Sequence, residues 1–236
     1  NHRVENRIHM LCAYSGLAFA LLPLIGMIFL AGFFPPPSPA LDEASVLRIY
    51  DENLTGVRAG MVVMMMGAGL FIPFTSLMTH YIIRIEGRVG VISVMQIMGG
   101  YSNMILFFYP PLWWLTASFR MDRDPQLIHM LHDAAWLQFL GAIAPFLFMM
   151  GSVAIAAFVD DSKKPVFPRW YGYFSLLALM AFFPDQLIFF FKTGPLAWNG
   201  LFGWWIPLVD FFSWILVTFW LLRRAVREDA RRLSSA

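Results

Sequence analysis

Residues 134–159 read AAWLQFLGAIAPFLFMMGSVAIAAFV and contain no charged side chain. This run is longer than the about 20 residues that an α-helix needs to cross the hydrocarbon core of a bilayer. It is also too long for a buried β-strand, which usually has about 4–8 residues. The run therefore predicts a transmembrane helix.

Five further long apolar runs occur in the rest of the chain. Of its 236 residues, 59% are hydrophobic and 14% are charged, whereas soluble domains carry about 25% charged residues. We expect an all-α polytopic membrane protein, a bundle of six transmembrane helices forming a single transmembrane domain over residues 1–236. The predicted spans are residues 10–34, 56–83, 89–117, 134–159, 170–191 and 201–222. The first span exceeds the apolar core of a signal peptide, about 7–15 residues, so we expect it to be retained.

The basic residues beside the spans predict the orientation, because Lys and Arg accumulate in cytoplasmic loops. If the N terminus is cytoplasmic, twelve basic residues lie on that side and five lie on the other. The first group is Arg3, Arg7, Arg84, Arg88, Lys163, Lys164, Arg169, Arg223, Arg224, Arg227, Arg231 and Arg232. The second group is Arg48, Arg58, Arg120, Arg123 and Lys192. We therefore expect both termini to be cytoplasmic, in a multi-pass protein of a bacterial inner membrane.

The longest connection on the outer side begins with four prolines between residues 35 and 39 and continues into an acidic segment. The prolines prevent continuation of the first helix. Within the acidic segment, residues 44–50 suit either a short surface helix or a solvated connector. The connector is the favoured interpretation, because loops of this length are only sometimes functional.

Composition and spacing disfavour several functional classes. The net charge is +2, without a basic, aromatic-interleaved face, so nucleic acid is not an expected partner. Cys12 is the single cysteine, which disfavours an iron–sulfur cluster. The five histidines lie near span ends and the three lysines lie in loops, so haem and retinal are disfavoured as cofactors.

Two carboxylates inside predicted spans are the first candidate site. A charged side chain at the bilayer centre costs about 3 kcal/mol or more unless it faces the bundle interior or water. Asp210 lies near the middle of the last span, and Asp185 follows Pro184 in the fifth. Each suits a ligand-binding or proton-linked residue in a cavity, and each also suits a hydrogen-bonded carboxyl that joins two helices. For Asp210 neither interpretation is favoured, and for Asp185 the structural role is favoured because this residue lies at a shallower depth.

Three uncharged residues accompany these carboxylates. Asn103 is a polar residue in the third span and is a candidate for a polar path with Asp210. Trp204 and Trp205 precede Asp210 on the last span and suit an aromatic chamber for a hydrophobic ligand. The competing and favoured interpretation is an outer interfacial belt of tryptophans, which also includes Trp113, Trp114 and Trp198.

The start of the fourth span is a candidate metal site. His129, His132 and Asp133 are three and four residues apart, which places them along one side of a helix. Two imidazoles and a carboxylate suit a divalent metal, with Asp185 as a further oxygen ligand. The favoured interpretation is ordinary interfacial hydrogen bonding, because such residues are common at span ends.

Three functions stay open at this point. The leading hypothesis is a non-catalytic inner-membrane protein, either a subunit of a membrane assembly or a binder of a hydrophobic small molecule. The second is a membrane enzyme that acts on a lipid-like substrate at the outer His and Asp residues. The third is a small proton-coupled transporter that uses Asp210. Membrane lipids are the expected surroundings in every case.

Overall fold

The structure, a computed structural model, describes residues 2–234, which are all-helical without a strand and 80% helix. Eight α-helices follow one another along the chain. They are α1 (His2–Leu24), α2 (Glu43–Ala68), α3 (Phe71–Glu86), α4 (Val91–Phe119), α5 (Pro125–Gly141), α6 (Ala144–Val159), α7 (Arg169–Ala181) and α8 (Ile206–Ser234). A π-helical turn, Ile25–Leu30, extends α1, and a second, Leu201–Trp205, leads into α8. A 3-10 helix, Phe183–Phe189, continues α7.

These helices combine into six segments that are long and apolar enough to cross a membrane, as the sequence predicts. The segments are Arg3–Leu30, Glu43–Glu86, Val91–Phe119, Pro125–Val159, Arg169–Phe189 and Leu201–Arg232. The second segment contains both α2 and α3, and the fourth contains both α5 and α6. Breaks inside spans are tolerated where neighbouring protein surrounds the freed backbone groups.

The favoured interpretation of residues 44–50 as a connector is wrong, because they form the first turns of α2. Asp42 caps this helix by accepting a hydrogen bond from the Ser45 backbone N–H at 2.9 Å. Hydrogen bonding to Ser45 lowers the pKa of the Asp42 carboxyl. The helix then bends at Asn53, whose backbone is non-helical. The side-chain amide of Asn53 donates a hydrogen bond to the Leu30 carbonyl at 2.8 Å. The acidic segment therefore joins the second span through a kink.

The first two spans touch backbone to backbone. A Cβ atom on Gly60 of α2 would lie 2.2 Å from the carbonyl oxygen of Gly26, and one on Gly26 would lie 2.3 Å from that of Gly60. No side chain fits at either position, so the pair of glycines sets the distance between the spans.

The contacts at one end of the bundle bring the two ends of the described chain together. Arg84 at the end of α3 forms an ion pair with Asp229 of α8 at 2.5 Å. The rings of His9 in α1 and His80 in α3 are 4.7 Å apart. At the opposite end, the Trp198 indole donates to the Pro37 carbonyl at 2.7 Å. The first turns of α1 and the last turns of α8 therefore lie at the same end.

Candidate functional site

An apolar pocket lies inside the bundle, in the half that is remote from the chain ends. Its narrow interior has a volume of about 80 Å³, and the empty space among the wall atoms is about 700 Å³ when the open mouth is included. The aromatic part of the wall consists of Phe107, Phe139, Phe146, Phe182, Trp204, Phe211 and Phe212. The other wall residues are Pro23, Leu24, Met27, Met64, Leu106, Leu140, Ile143, Asp185, Pro207 and Leu208. One of these seventeen side chains is ionisable.

That ionisable side chain is Asp185, which is 1% exposed. The α-helical part of the fifth span ends at Ala181, and Asp185 lies in the first turn of the 3-10 helix that follows. The neighbouring Gln186 side chain donates to the Gly141 carbonyl at 2.8 Å, which ties this turn to the end of α5. The Asp185 Oδ1 atom is buried and has no hydrogen-bond partner among residues 2–234. A buried carboxyl oxygen without a partner is rare and calls for an explanation.

Trp204 is the second polar group in the pocket wall. Its side chain is 4% exposed, and its indole Nε1 has no hydrogen-bond partner in the described part of the chain. Trp204 lies in the π-helical turn before α8, next to Gly203. A Cβ on Gly203 would lie 2.3 Å from the Ala197 carbonyl oxygen and 2.9 Å from the Ile188 side chain of the 3-10 helix, so glycine lets this turn lie against the preceding loop and against that helix. The pocket wall thus carries an unpaired acceptor and an unpaired donor on adjoining segments.

A cluster of aromatic side chains lies beside the pocket and is centred on Trp136. The ring centroid of Trp136 is 5.0 Å from that of Trp114, 6.2 Å from that of Trp198 and 5.9 Å from that of Trp204. These four indoles are buried, so Trp114, Trp198 and Trp204 do not belong to an interfacial belt. Trp205 is partly exposed and lies outside the pocket wall.

His132 belongs to this cluster and is buried between two polar partners. Its Nδ1 atom is 2.9 Å from the Tyr50 hydroxyl, and its Nε2 atom is 3.1 Å from the Trp136 indole nitrogen. Because an indole N–H only donates, Nε2 must accept and the proton of a neutral imidazole must be on Nδ1. Nδ1–H then donates to Tyr50. The arrangement fixes one tautomer of His132.

The three residues of the predicted metal site have different partners in the structure. His129 Nε2 and Asp133 Oδ1 are 3.6 Å apart, on a different side of α5 from the bonds that His132 makes. Both ring nitrogens of His132 are already hydrogen-bonded. Among the residues that the structure describes, no group of three or more His, Cys, Asp or Glu side chains is arranged to hold a metal ion.

Asn103 and Asp210 also lie outside the pocket wall. Asn103 is buried, and its amide nitrogen donates to the Gly99 carbonyl at 2.8 Å. Asp210 is partly buried on α8, and its Oδ2 atom has no partner within residues 2–234. Of the five residues predicted to form one ligand site, the pocket wall therefore combines Asp185 with Trp204 and leaves out Asn103, Trp205 and Asp210.

The apolar residues that shape the pocket were not predicted from the sequence, although the last span carries a usable signal. Trp204, Pro207, Leu208, Phe211 and Phe212 follow the three- and four-residue spacing of one helix face, and all five line the pocket. Asp210 is off that face, which explains its absence from the wall.

Comparisons with known protein families, with curated proteins and with solved structures found no match for the chain. The shape and chemistry of the pocket are therefore the basis for a functional assignment.

Proposed function

We propose that this integral membrane protein binds a hydrophobic small molecule in the pocket between its helices. The observation that carries the proposal is an apolar pocket with two buried and unpaired polar groups in its wall, Asp185 and Trp204. Small-molecule sites typically combine a mainly apolar and aromatic lining with a few polar groups that orient the ligand. Protein interiors are otherwise close-packed, so an unfilled apolar space of this kind needs a reason.

The wall is preformed, because its rings support one another. Phe107 and Phe211 are stacked with their centroids 5.2 Å apart, and Phe146 contacts Phe182 edge to face at 4.7 Å. Such pairs hold each ring in a defined orientation. A ligand would therefore meet a rigid surface and would lose little affinity to ordering of the wall.

We infer that the pocket opens towards the side of the bundle, where α1 and α8 contribute half-buried wall residues. Leu24 of α1 and Leu208 and Phe212 of α8 line it and are only half-buried, while deeper wall residues such as Phe146 are buried. A molecule dissolved in the bilayer would enter between α1 and α8 without crossing water. Because the interior of the pocket is narrow, it would hold only the head of this molecule, near Asp185. The tail of the molecule would extend towards the lipid.

The orientation also forms part of the proposal. The twelve basic residues assigned to the cytoplasmic side lie in five places: the first turns of α1, residues 84–88, the connection before α7, the first residue of α7 and the last turns of α8. The contacts of Arg84 with Asp229 and of Arg224 with the Pro165 carbonyl bring these segments to one end of the bundle. Under the positive-inside rule that end faces the cytoplasm, and the pocket lies in the outer half of the membrane.

Purification from the native membrane in mild detergent tests the proposed function. Small molecules retained by the wild type are compared by mass spectrometry with those retained by Leu208→Trp, in which the larger ring fills the pocket. Val209→Trp is the matched control, since Val209 is 64% exposed and lies outside the wall.

We expect one hydrophobic compound to be retained by the wild type and by Val209→Trp, and to be depleted in Leu208→Trp. Equal retention by all three proteins would place the compound elsewhere, and no compound in any of them would contradict the proposal. If Leu208→Trp aggregates, Leu106→Trp narrows the same pocket from α4.

A further inference from the structure

We propose that the ligand is a hydrophobic alcohol or phenol, whose hydroxyl group donates a hydrogen bond to Asp185 and accepts one from the Trp204 indole N–H. This inference rests on the proposed function, because it names the class of molecule that the same pocket holds. It begins from the two polar atoms in the wall that the protein itself leaves unpaired, Asp185 Oδ1 and Trp204 Nε1.

Both groups are as buried as core residues, at 1% exposure for Asp185 and 4% for Trp204. Solvent therefore does not satisfy them, and an unpaired buried polar group costs folding free energy. Each also belongs to a segment held in place by other contacts. The Asp185 turn is tied to α5 through Gln186, and the Trp204 turn is packed on the 3-10 helix at Gly203.

The two groups make different demands on a ligand. The indole N–H can only donate, so it needs an acceptor. We take the unpaired Oδ1 atom of Asp185 as an acceptor, the role that it has in a carboxylate and as the carbonyl oxygen of a neutral carboxyl, so it needs a donor. An ether or a ketone would satisfy Trp204 alone, and an ammonium group would satisfy Asp185 alone. A hydroxyl group both donates and accepts, so it is the simplest group that offers each of the two wall residues the partner it lacks.

The remainder of the wall restricts the molecule that carries this hydroxyl. Every other side chain in the wall is apolar, so a sugar or a glycerol head with several hydroxyl groups would leave some of them unpaired. The rings of Phe107, Phe146 and Phe211 offer faces and edges on which a ring or a branched chain packs. A single hydroxyl on an otherwise apolar molecule fits this wall.

The test uses the full chain in lipid nanodiscs and four probes that share an apolar octyl tail. 4-Octylphenol donates and accepts, 4-octylanisole only accepts, octylbenzene does neither and 4-octylbenzylamine carries a cation. Equilibrium binding is measured for each probe, and partition into empty nanodiscs is subtracted. We expect 4-octylphenol to bind about tenfold or more tightly than 4-octylanisole, as for the loss of one hydrogen bond to a charged or strongly polar partner. Octylbenzene should bind most weakly.

Two variants assign the difference to the two wall residues. Asp185→Leu should lower the affinity for 4-octylphenol to that for 4-octylanisole. Trp204→Phe keeps an aromatic ring without the N–H, and it should remove the preference for 4-octylanisole over octylbenzene. Trp205→Phe and Asp210→Asn are the matched controls outside the wall and should leave the order of the four probes unchanged.

The outcomes separate this inference from the proposed function. Equal affinities for 4-octylphenol, 4-octylanisole and octylbenzene would overturn the hydroxyl inference, leave the apolar pocket intact as a binding site and suggest that water pairs the two polar groups. Tightest binding of 4-octylbenzylamine would replace the alcohol with a lipophilic cation. No binding of any probe would overturn the proposed function as well. If Asp185→Leu does not fold, the wild-type probe series still decides.

Discussion

Replacement of Tyr50 by phenylalanine should destabilise the protein by about 1 kcal/mol, although it removes a single oxygen atom. Tyr50 and His132 are 0% and 1% exposed, and their hydrogen bond joins α2 to α5. Without the hydroxyl, the Nδ1–H of His132 has no partner, because Trp136 occupies Nε2 and fixes the tautomer.

The magnitude follows from two competing reference values. An unpaired buried polar group costs about 1–3 kcal/mol in soluble proteins. Hydrogen bonds between membrane helices contribute about 0.6 kcal/mol on average and about 1.7 kcal/mol at most, because the unfolded chain in the membrane also finds partners. The values for membrane helices apply to the hydrogen bond between Tyr50 and His132. Because both side chains are completely buried, we expect its contribution to lie in the upper half of that range.

The assay is unfolding in mixed micelles with increasing sodium dodecyl sulfate, followed by tryptophan fluorescence. Tyr14→Phe is the matched control, because the Tyr14 ring packs on Phe219 at 5.2 Å while its hydroxyl makes no hydrogen bond within the described residues. Tyr14→Phe should be as stable as the wild type. If Tyr50→Phe is equally unaffected, the predicted stabilisation by this bond is refuted. The tautomer depends on the Trp136 bond and is tested separately by nitrogen NMR of His132, which should show the proton on Nδ1.

Three further predictions concern the helix contacts and the orientation. Gly60→Ala should destabilise the protein by about 1–3 kcal/mol in the same unfolding assay, because the new Cβ would overlap the Gly26 carbonyl oxygen, whereas Gly69→Ala, with its nearest atom at 3.6 Å, should not. An equal effect of both would contradict the close packing of the first two spans. Asp229→Asn should cost less than about 1 kcal/mol, and the loss should shrink in high salt, because the Arg84 and Asp229 side chains are 44% and 29% exposed and solvent screens the pair; a larger, salt-independent loss would contradict this. Green fluorescent protein fused to the C terminus should fluoresce in cells and alkaline phosphatase fused there should be inactive, and the reverse result would contradict the proposed orientation.

The fold was largely predictable because uncharged runs long enough to cross a bilayer have few alternatives to a transmembrane helix. The start of α2 was not predictable in the same way. Its first turns are acidic and follow a proline-rich stretch, which is typical of a loop, and their helical structure depends on the Asp42 cap and on the contact between Asn53 and Leu30. The cap joins residues three apart and was a usable signal in the sequence, whereas Asn53 and Leu30 are 23 residues apart and their contact could not be predicted from spacing.

The candidate site was predictable in part. Asp185 stands out because a carboxyl in an apolar run is costly, and the structure places it in a pocket wall. Asp210 stands out for the same reason, yet it lies outside that wall because of its phase on α8. The same phase effect separates His132 from Asp133, since a shift of one residue rotates a helical side chain by about 100°. The sequence identified candidate site residues, whereas the packing of the helices determined which of their side chains are in contact.

Photolabelling tests most directly whether the pocket holds a hydrophobic molecule. The protein in nanodiscs is irradiated with an octylbenzene analogue that carries a diazirine, and the labelled residues are identified by peptide mass spectrometry. We expect adducts concentrated on the mouth residues Leu24, Leu208 and Phe212, suppressed by excess unlabelled octylbenzene and lost in Leu208→Trp. Adducts spread over exposed side chains such as Phe29 and Leu177, without suppression by the competitor, would contradict it.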